Sequence, residues 1–131
     1  MPQRFFARAA GVLAAILIAY AAPPPASARE IVTDWTIVAD RLGRGNANWR
    51  TMAIMHRAMH DAVNAAVPTY TRWHPAEPDE PRPDPDLNRI IVGKAALAAS
   101  ARQVLMLLHP NQHPEIDDAY ARAIARVPDG P

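Results

Sequence analysis

Apolar residues recur every three or four positions through most of the chain after residue 33, which is the spacing of an amphipathic α-helix. Loop-forming residues interrupt this spacing three times, so the pattern predicts four helices and no strand. The helices are expected at Trp35 to about Leu42, at Trp49 to about Ala66, from about Asp86 to Leu108, and from Pro114 onward. The sequence therefore predicts an all-α fold, a partial bundle of about four helices.

The second predicted helix carries the most regular apolar face. Asn48 is expected to cap its start, and Val67-Pro68 is expected to end it. Its apolar residues fall on one stripe, formed by Met52, Met55, Met59, Ala62, Val63 and Ala66. We expect this methionine stripe to be buried against other helices, or against a partner if the chain is a helical interaction module.

The segment after the second helix is rich in proline and acidic residues. Such composition favours extended, solvated backbone, so residues 68–85 are predicted to form a loop, either a flexible connector or an insertion lid. The third helix that follows is apolar over most of its circumference. That pattern is typical of a helix that belongs inside a larger assembly.

Residues 1–28 have the features of an export signal. Two arginines precede an unbroken apolar run over 12–22, which is too short to span a bilayer as a helix. Pro23-Pro24-Pro25 ends that run, and Ala26-Ser27-Ala28 supplies the small residues that a signal peptidase recognises. We predict a signal peptide cleaved after Ala28, a secreted or periplasmic location, and no stable membrane span after cleavage. An uncleaved anchor is the alternative.

Composition narrows the classes of function. The 131 residues include 14 basic and 13 acidic side chains, and this even balance excludes a polybasic arm, so no nucleic-acid partner is expected. The chain has no cysteine, which excludes disulfides, cysteine-ligated zinc, iron–sulfur clusters and a thiol nucleophile. Hydrophobic residues make up 50% of the chain, enough for a packed core.

Two histidine pairs are candidate metal ligands. His56 and His60 are four positions apart on the second predicted helix and therefore lie on one side of it. His109 and His113 have the same spacing, although two prolines interrupt the helix there. Imidazole suits zinc and copper, so the four histidines support the hypothesis of a small periplasmic metal-binding module. The simpler interpretation is that His56 and His60 are half-buried and bond to neighbouring helices or loops.

Three polar residues interrupt the apolar character of the second helix. Arg57 and Asp61 are four positions apart and are expected to form an exposed ion pair. The alternative is that Asp61 and Asn64 position a neighbouring segment of the chain.

The run from Ala53 to Ala66, with Met59-His60-Asp61-Ala62-Val63-Asn64-Ala65 at its centre and Tyr70 close behind, resembles the N-terminal region of bacterial vanadium-dependent haloperoxidase-like proteins. These proteins belong to the type-2 phosphatidic acid phosphatase superfamily. The Asp34-Trp35 helix start, the Leu-His-Pro helix end and the Pro128-Asp129-Gly130-Pro131 turn are similar as well. The resemblance implies a helical bundle and, in the complete enzymes, a vanadate or phosphate held by lysine, arginine, Ser-Gly-His and Arg-His motifs.

Those motifs are absent from the sequence. No Ser-Gly-His occurs, Pro75 stands where a lysine would precede Arg82, and the spacing from Arg102 to His109 is one residue too long. We therefore assign no catalytic or cofactor-binding residue, and we expect vanadate or phosphate only in a full-length relative. The resemblance implies an exported N-terminal scaffold fragment that is inactive alone. Its expected partner is the missing C-terminal catalytic part or a second copy of the chain.

Overall fold

The computed structural model describes residues 28–43, 47–80 and 84–128, and these contain four α-helices and no strand. The helices are α1 (Ala28–Leu42), α2 (Ala47–Ala66), α3 (Arg89–Leu108) and α4 (His113–Ile124). The predicted all-α fold with about four helices is therefore confirmed. The predicted signal peptide lies outside the described residues except for Ala28, the first residue of α1.

The first helix begins seven residues before its predicted start at Trp35. The predicted start is wrong because Thr33 and Asp34 just before Trp35 are residue types that favour an N-cap, whereas the apolar stripe of α1 extends back to Ile31, which is 5% exposed. Glu30 lies in the first turn, where a negative charge is favoured by the helix dipole.

The bounds of the later helices agree more closely with those predicted from the sequence. α2 ends at Ala66 as predicted, and α4 has Pro114 in its first turn. α3 begins at Arg89 because the side chain of Asn88 accepts hydrogen bonds from the backbone N–H groups of Ile90 and Ile91, at 3.0 and 3.3 Å.

The core lies around α3, which contacts each of the other three helices and makes the two most extensive helix–helix contacts in the described part of the chain. α2 packs most extensively on α3, and α1 crosses the bundle against α2, α3 and α4. Ala98 and Ala101 are completely buried and allow close approach of the helices. The largest side chains that are less than 2% exposed come from all four helices: Trp35, Met55, Leu105 and Ile116.

The methionine stripe of α2 is covered by the chain itself. Met55 and Met59 are 0% and 2% exposed, and Met52 packs partly buried against the same core. The expectation that this stripe is buried against other helices is confirmed. The alternative, that it is kept for a separate partner, is wrong because the bundle already occupies it.

α3 is long and apolar enough, by length and composition, to cross a membrane, with a mean hydropathy of 1.5 over its most apolar window. It is the one such helix among the described residues. Its middle is buried in the bundle, whereas Ile90 near one end and Leu107 near the other are 70% and 71% exposed. The absence of a stable membrane span after cleavage stays a prediction.

Candidate functional site

A buried carboxylate on α2 organises the segment that follows this helix. Asp61 is 7% exposed, and its Oδ1 accepts the backbone N–H of Trp73 at 2.7 Å. Its Oδ2 accepts the backbone N–H of His74 at 3.0 Å and lies 2.8 Å from Nδ1 of the same residue. Nδ1 of His60 is 3.3 Å from Oδ1. One carboxylate therefore serves two backbone groups and two imidazoles.

Asn64, one helical turn further along α2, makes the same kind of connection. Its Oδ1 accepts the backbone N–H of Tyr70 at 2.7 Å and that of Thr69 at 3.3 Å. Its amide nitrogen donates to the carbonyl of His60 at 2.8 Å, which fixes the orientation of the side chain. We call the side chains of Asp61 and Asn64, with the four backbone N–H groups that they accept, the latch.

The hydrogen-bond partners determine the tautomers of the two histidines. An ionised carboxylate accepts hydrogen bonds and donates none, so Nδ1 of His74 and Nδ1 of His60 each carry a proton directed at Asp61. In the neutral rings the lone pair is then on Nε2. The side chain of His74 is 71% exposed, so its ring is open to solvent.

The environment of Asp61 keeps it ionised. Burial raises the pKa of the Asp61 carboxyl, but hydrogen bonds from the Trp73 N–H, the His74 and His60 rings and the His74 N–H outweigh it. Together they hold the pKa well below its ordinary value of 3.8. The carboxylate is therefore charged at every pH near neutrality, and the latch is intact there.

Further contacts hold the segment after α2 in place. Nη1 of Arg72 donates to both carboxylate oxygens of Glu80, at 2.8 and 3.0 Å, and this pair is partly buried. The guanidinium of Arg57 lies over the indole of Trp73, 5.1 Å from the ring centroid. The prediction of an exposed ion pair between Arg57 and Asp61 is wrong, because Arg57 stacks on Trp73 and Asp61 is buried and accepts the backbone N–H groups of Trp73 and His74.

Beside the latch is a cavity of about 450 Å³. It is lined by residues of α2 and of the following segment: Ile54, Arg57, Ala58, Asp61, Arg72 and His74. This arrangement places a histidine oriented by a carboxylate next to two guanidinium groups. The ring can accept or deliver a proton at Nε2, but none of the lining side chains is a hydroxyl or thiol nucleophile.

The histidines expected as metal ligands make separate contacts. Nε2 of His56 lies 2.9 Å from the hydroxyl of Thr36 on α1. That hydroxyl donates its hydrogen to the carbonyl of Val32, so Nε2 of His56 carries the proton that it shares with Thr36. His60 bonds to Asp61 instead. His56 bonds to a neighbouring helix, as the simpler interpretation expects, but it is exposed. His60 is half-buried as expected, but it bonds to the adjacent residue of its own helix.

The second pair is also separated by its contacts. Nε2 of His113 lies 3.0 Å from the carbonyl of Met106, and Nε2 of His109 is buried without a hydrogen-bond partner in the structure. Over the described ranges, no group of three or more histidine, aspartate or glutamate side chains is arranged to hold a metal ion. Metal binding by His56 and His60 stays a prediction.

Sequence reasoning missed the site residues Arg72, Trp73 and His74, of which His74 is the one whose side chain bonds to Asp61. They lie in a proline-rich segment without helical spacing, where periodicity gives no indication of a partner. The available signal was the pair of polar side chains, Asp61 and Asn64, on a helix whose apolar face is expected to be buried. That signal indicates that some segment returns to α2, but not which one.

Comparison of the chain with protein-family models, with curated proteins and with solved structures finds no match.

Proposed function

We propose that the chain is an exported helical scaffold related to the N-terminal region of vanadium-dependent haloperoxidase-like and acid phosphatase-like proteins, without catalytic activity of its own. The observation that carries the proposal is the latch. His60, Asp61 and Asn64 belong to the stretch in which the resemblance is most specific, and Asp61 and Asn64 bond to main-chain groups of the next segment. Through these bonds the two side chains fix the conformation of the following segment, which is the role of a scaffold.

The latch also determines which side chains the scaffold exposes to a partner. Tyr70 and Trp73 are held at the backbone by Asn64 and Asp61, yet they are 73% and 68% exposed. Exposed aromatic side chains on a fixed backbone are typical of binding surfaces. In this proposal they are part of the surface that the catalytic part of the enzyme covers.

The lack of activity follows from electrostatics. Vanadate and phosphate chemistry requires several positive groups directed at one oxyanion. In the cavity beside the latch, Arg72 is paired with Glu80 and Arg57 lies on Trp73, while Asp61 adds a negative charge. No residue of the chain is assigned as a ligand of vanadate or phosphate.

The test compares the chain alone with the chain mixed with a separately produced C-terminal part of a vanadium haloperoxidase-like protein. Bromide oxidation with vanadate and peroxide, and hydrolysis of p-nitrophenyl phosphate, are the assays. We expect no turnover by the chain alone and a gain of activity in the mixture, which Asn64→Ala reduces and Gln103→Ala, an exposed change on α3, does not. Turnover by the chain alone overturns the proposal.

Export is tested separately. Intact-mass measurement of the protein recovered from the periplasm or the medium is expected to give a chain that begins at Arg29. Cleavage there removes only the first residue of α1. Recovery of the uncleaved chain from the membrane fraction instead supports the anchor.

The alternative function is the small metal-binding module built on His56 and His60. Titration of the chain with zinc or copper distinguishes it from the scaffold. Stoichiometric micromolar binding that is lost in His60→Ala supports the module, whereas binding unaffected by that change contradicts it.

A further inference from the structure

A groove lies between α1 and α4, on a different part of the molecule from the latch. Its volume is about 520 Å³. Apolar side chains of both helices form its floor: Trp35, Val38, Ala119 and Ala123. α1 and α4 make the smallest contact of any touching helix pair in the described part of the chain, which is why the bundle is open here.

The rim of the groove is positively charged. Arg41 stands on the α1 side, and Arg122 and Arg126 stand on the α4 side. Arg126 donates to Asp34, which neutralises one charge. Arg41 and Arg122 are exposed, and neither makes an ion pair with another described residue. The three arginines and one aspartate leave the rim with a surplus of two positive charges.

We propose that this groove binds an amphipathic helix of acidic character, supplied by a partner protein. Its apolar stripe packs on Ile37 and Val38, apolar lining side chains that keep exposed surface, and its carboxylates pair with Arg41 on one side and Arg122 on the other. The groove shares no lining residue with the latch or with the cavity beside it, so the proposal is tested independently of the proposed function.

The shape of the groove favours a helix. The lining residues on α1 extend from Asp34 to Arg41, which is two helical turns or about 10 Å at 1.5 Å per residue. The lining residues on the other wall cover a similar length, from Ala119 to Arg126. Two helical walls of this length accept the side-chain ridge of a third helix, the mode by which amphipathic helices bind apolar grooves.

Charge selects the partner. A helix with lysine or arginine beside its apolar stripe would place like charges against Arg41 and Arg122, which disfavours binding. A helix with glutamate at the same positions forms charge-assisted hydrogen bonds with the two guanidinium groups. The groove therefore distinguishes acidic from basic helices of equal hydrophobicity.

The test uses the full chain and two fluorescein-labelled synthetic peptides of about 14 residues. Both have the same leucine stripe, flanked by glutamates in one peptide and by lysines in the other. We expect fluorescence anisotropy to give at least about tenfold tighter binding of the acidic peptide. We expect the double variant Arg41→Glu with Arg122→Glu to reverse this preference. The double variant Arg50→Glu with Arg89→Glu, an equal change of charge at exposed positions of α2 and α3, is expected to leave the preference as it is.

Four outcomes overturn the proposal. The first is equal binding of the two peptides, and the second is no binding up to about 1 mM peptide. The third is a preference that the folded double variant retains. The fourth is displacement of the labelled acidic peptide, by a second copy of the chain or by decanoate, at a lower concentration than the unlabelled peptide requires. The last outcome assigns the groove to self-association or to a small amphiphile. Circular dichroism and urea unfolding of the double variant establish that it is folded.

Discussion

Nδ1 of His74 lies 2.8 Å from Oδ2 of Asp61, although the two residues are thirteen positions apart in the chain. The same carboxylate accepts the backbone N–H groups of Trp73 and His74, so the ring and the main chain of one segment are fixed by one side chain of α2. A proline-rich stretch that composition describes as a solvated loop is thereby joined to the bundle.

Replacing Asp61 by asparagine is expected to open the latch. The amide keeps one acceptor oxygen and presents an NH₂ group to donors that need an acceptor, so a buried N–H group is left unpaired. We expect a lower urea midpoint and faster hydrogen exchange at the amides of Trp73 and His74. Asp79→Asn, the same change at an exposed position of the same segment, is the control. Equal effects of the two substitutions would show that Asp61 has no special role.

The free energy of unfolding is expected to depend on pH through the ionisation of Asp61. Its pKa in the folded chain is below the ordinary value of 3.8, so below about pH 4 the unfolded chain binds the proton more readily than the folded chain does. The contribution of Asp61 is complete above about pH 4 and declines as the pH falls toward the folded-state pKa. Urea unfolding from pH 6 to pH 3 is expected to show a steeper loss for the native chain than for Asp61→Asn. Parallel curves contradict this assignment.

Asn64→Ala removes the other half of the latch. The backbone N–H groups of Thr69 and Tyr70 lose their acceptor, and the carbonyl of His60 loses a donor. We expect a loss of about 1–3 kcal/mol in the free energy of unfolding, measured in urea, with faster hydrogen exchange at Tyr70. Gln103→Ala, on the exposed face of α3, is expected to change stability by less than about 0.5 kcal/mol.

Two glycines are expected to respond differently to replacement by alanine, Gly43 with a loss of stability and Gly93 without one. A Cβ at Gly43 would meet the side chain of Asn48, whose Cβ is only 2.9 Å away and cannot move without the backbone. Asn48 also donates to Asp40 at 2.8 Å, and that bond would be disturbed. We expect Gly43→Ala to lower the free energy of unfolding by about 1–3 kcal/mol.

At Gly93, inside α3, the nearest atom to a new Cβ is Cγ2 of Val63 at 3.4 Å, an ordinary contact. Alanine favours a helix interior over glycine by up to about 1 kcal/mol. We therefore expect Gly93→Ala to be neutral or stabilising in thermal unfolding. A loss of stability comparable to that of Gly43→Ala would mean that α2 and α3 are packed more tightly than these distances indicate.

The helices were predictable because their signal is local. The three- and four-residue spacing of Met52, Met55 and Met59 identifies a buried face whatever covers it. The start of α1 was placed too late because a good capping residue at Asp34 outweighed the apolar position at Ile31. A capping preference of about 1 kcal/mol is smaller than the gain from continuing a buried stripe.

The latch could not be predicted in the same way. Asp61 and Asn64 were recognised as unusual on a helix that buries itself, but their partners are backbone N–H groups, which every non-proline residue carries. Sequence spacing therefore contains no information about which segment returns to them. The contact of Arg57 with Trp73 is equally non-local, and an ion pair at four-residue spacing was the only partner that local reasoning offered.

Because the latch binds main-chain N–H groups, it places almost no demand on what residues 69, 70 and 73 are. The exposed aromatic rings at Tyr70 and Trp73 can be exchanged while the bonds to α2 persist. Proline is the exception, since it has no N–H to give, and none of these positions is proline in a stretch that otherwise abounds in it. The exposed side chains at residues 70 and 73 can therefore vary without any change in Asp61 and Asn64, which hold the backbone of this segment in place.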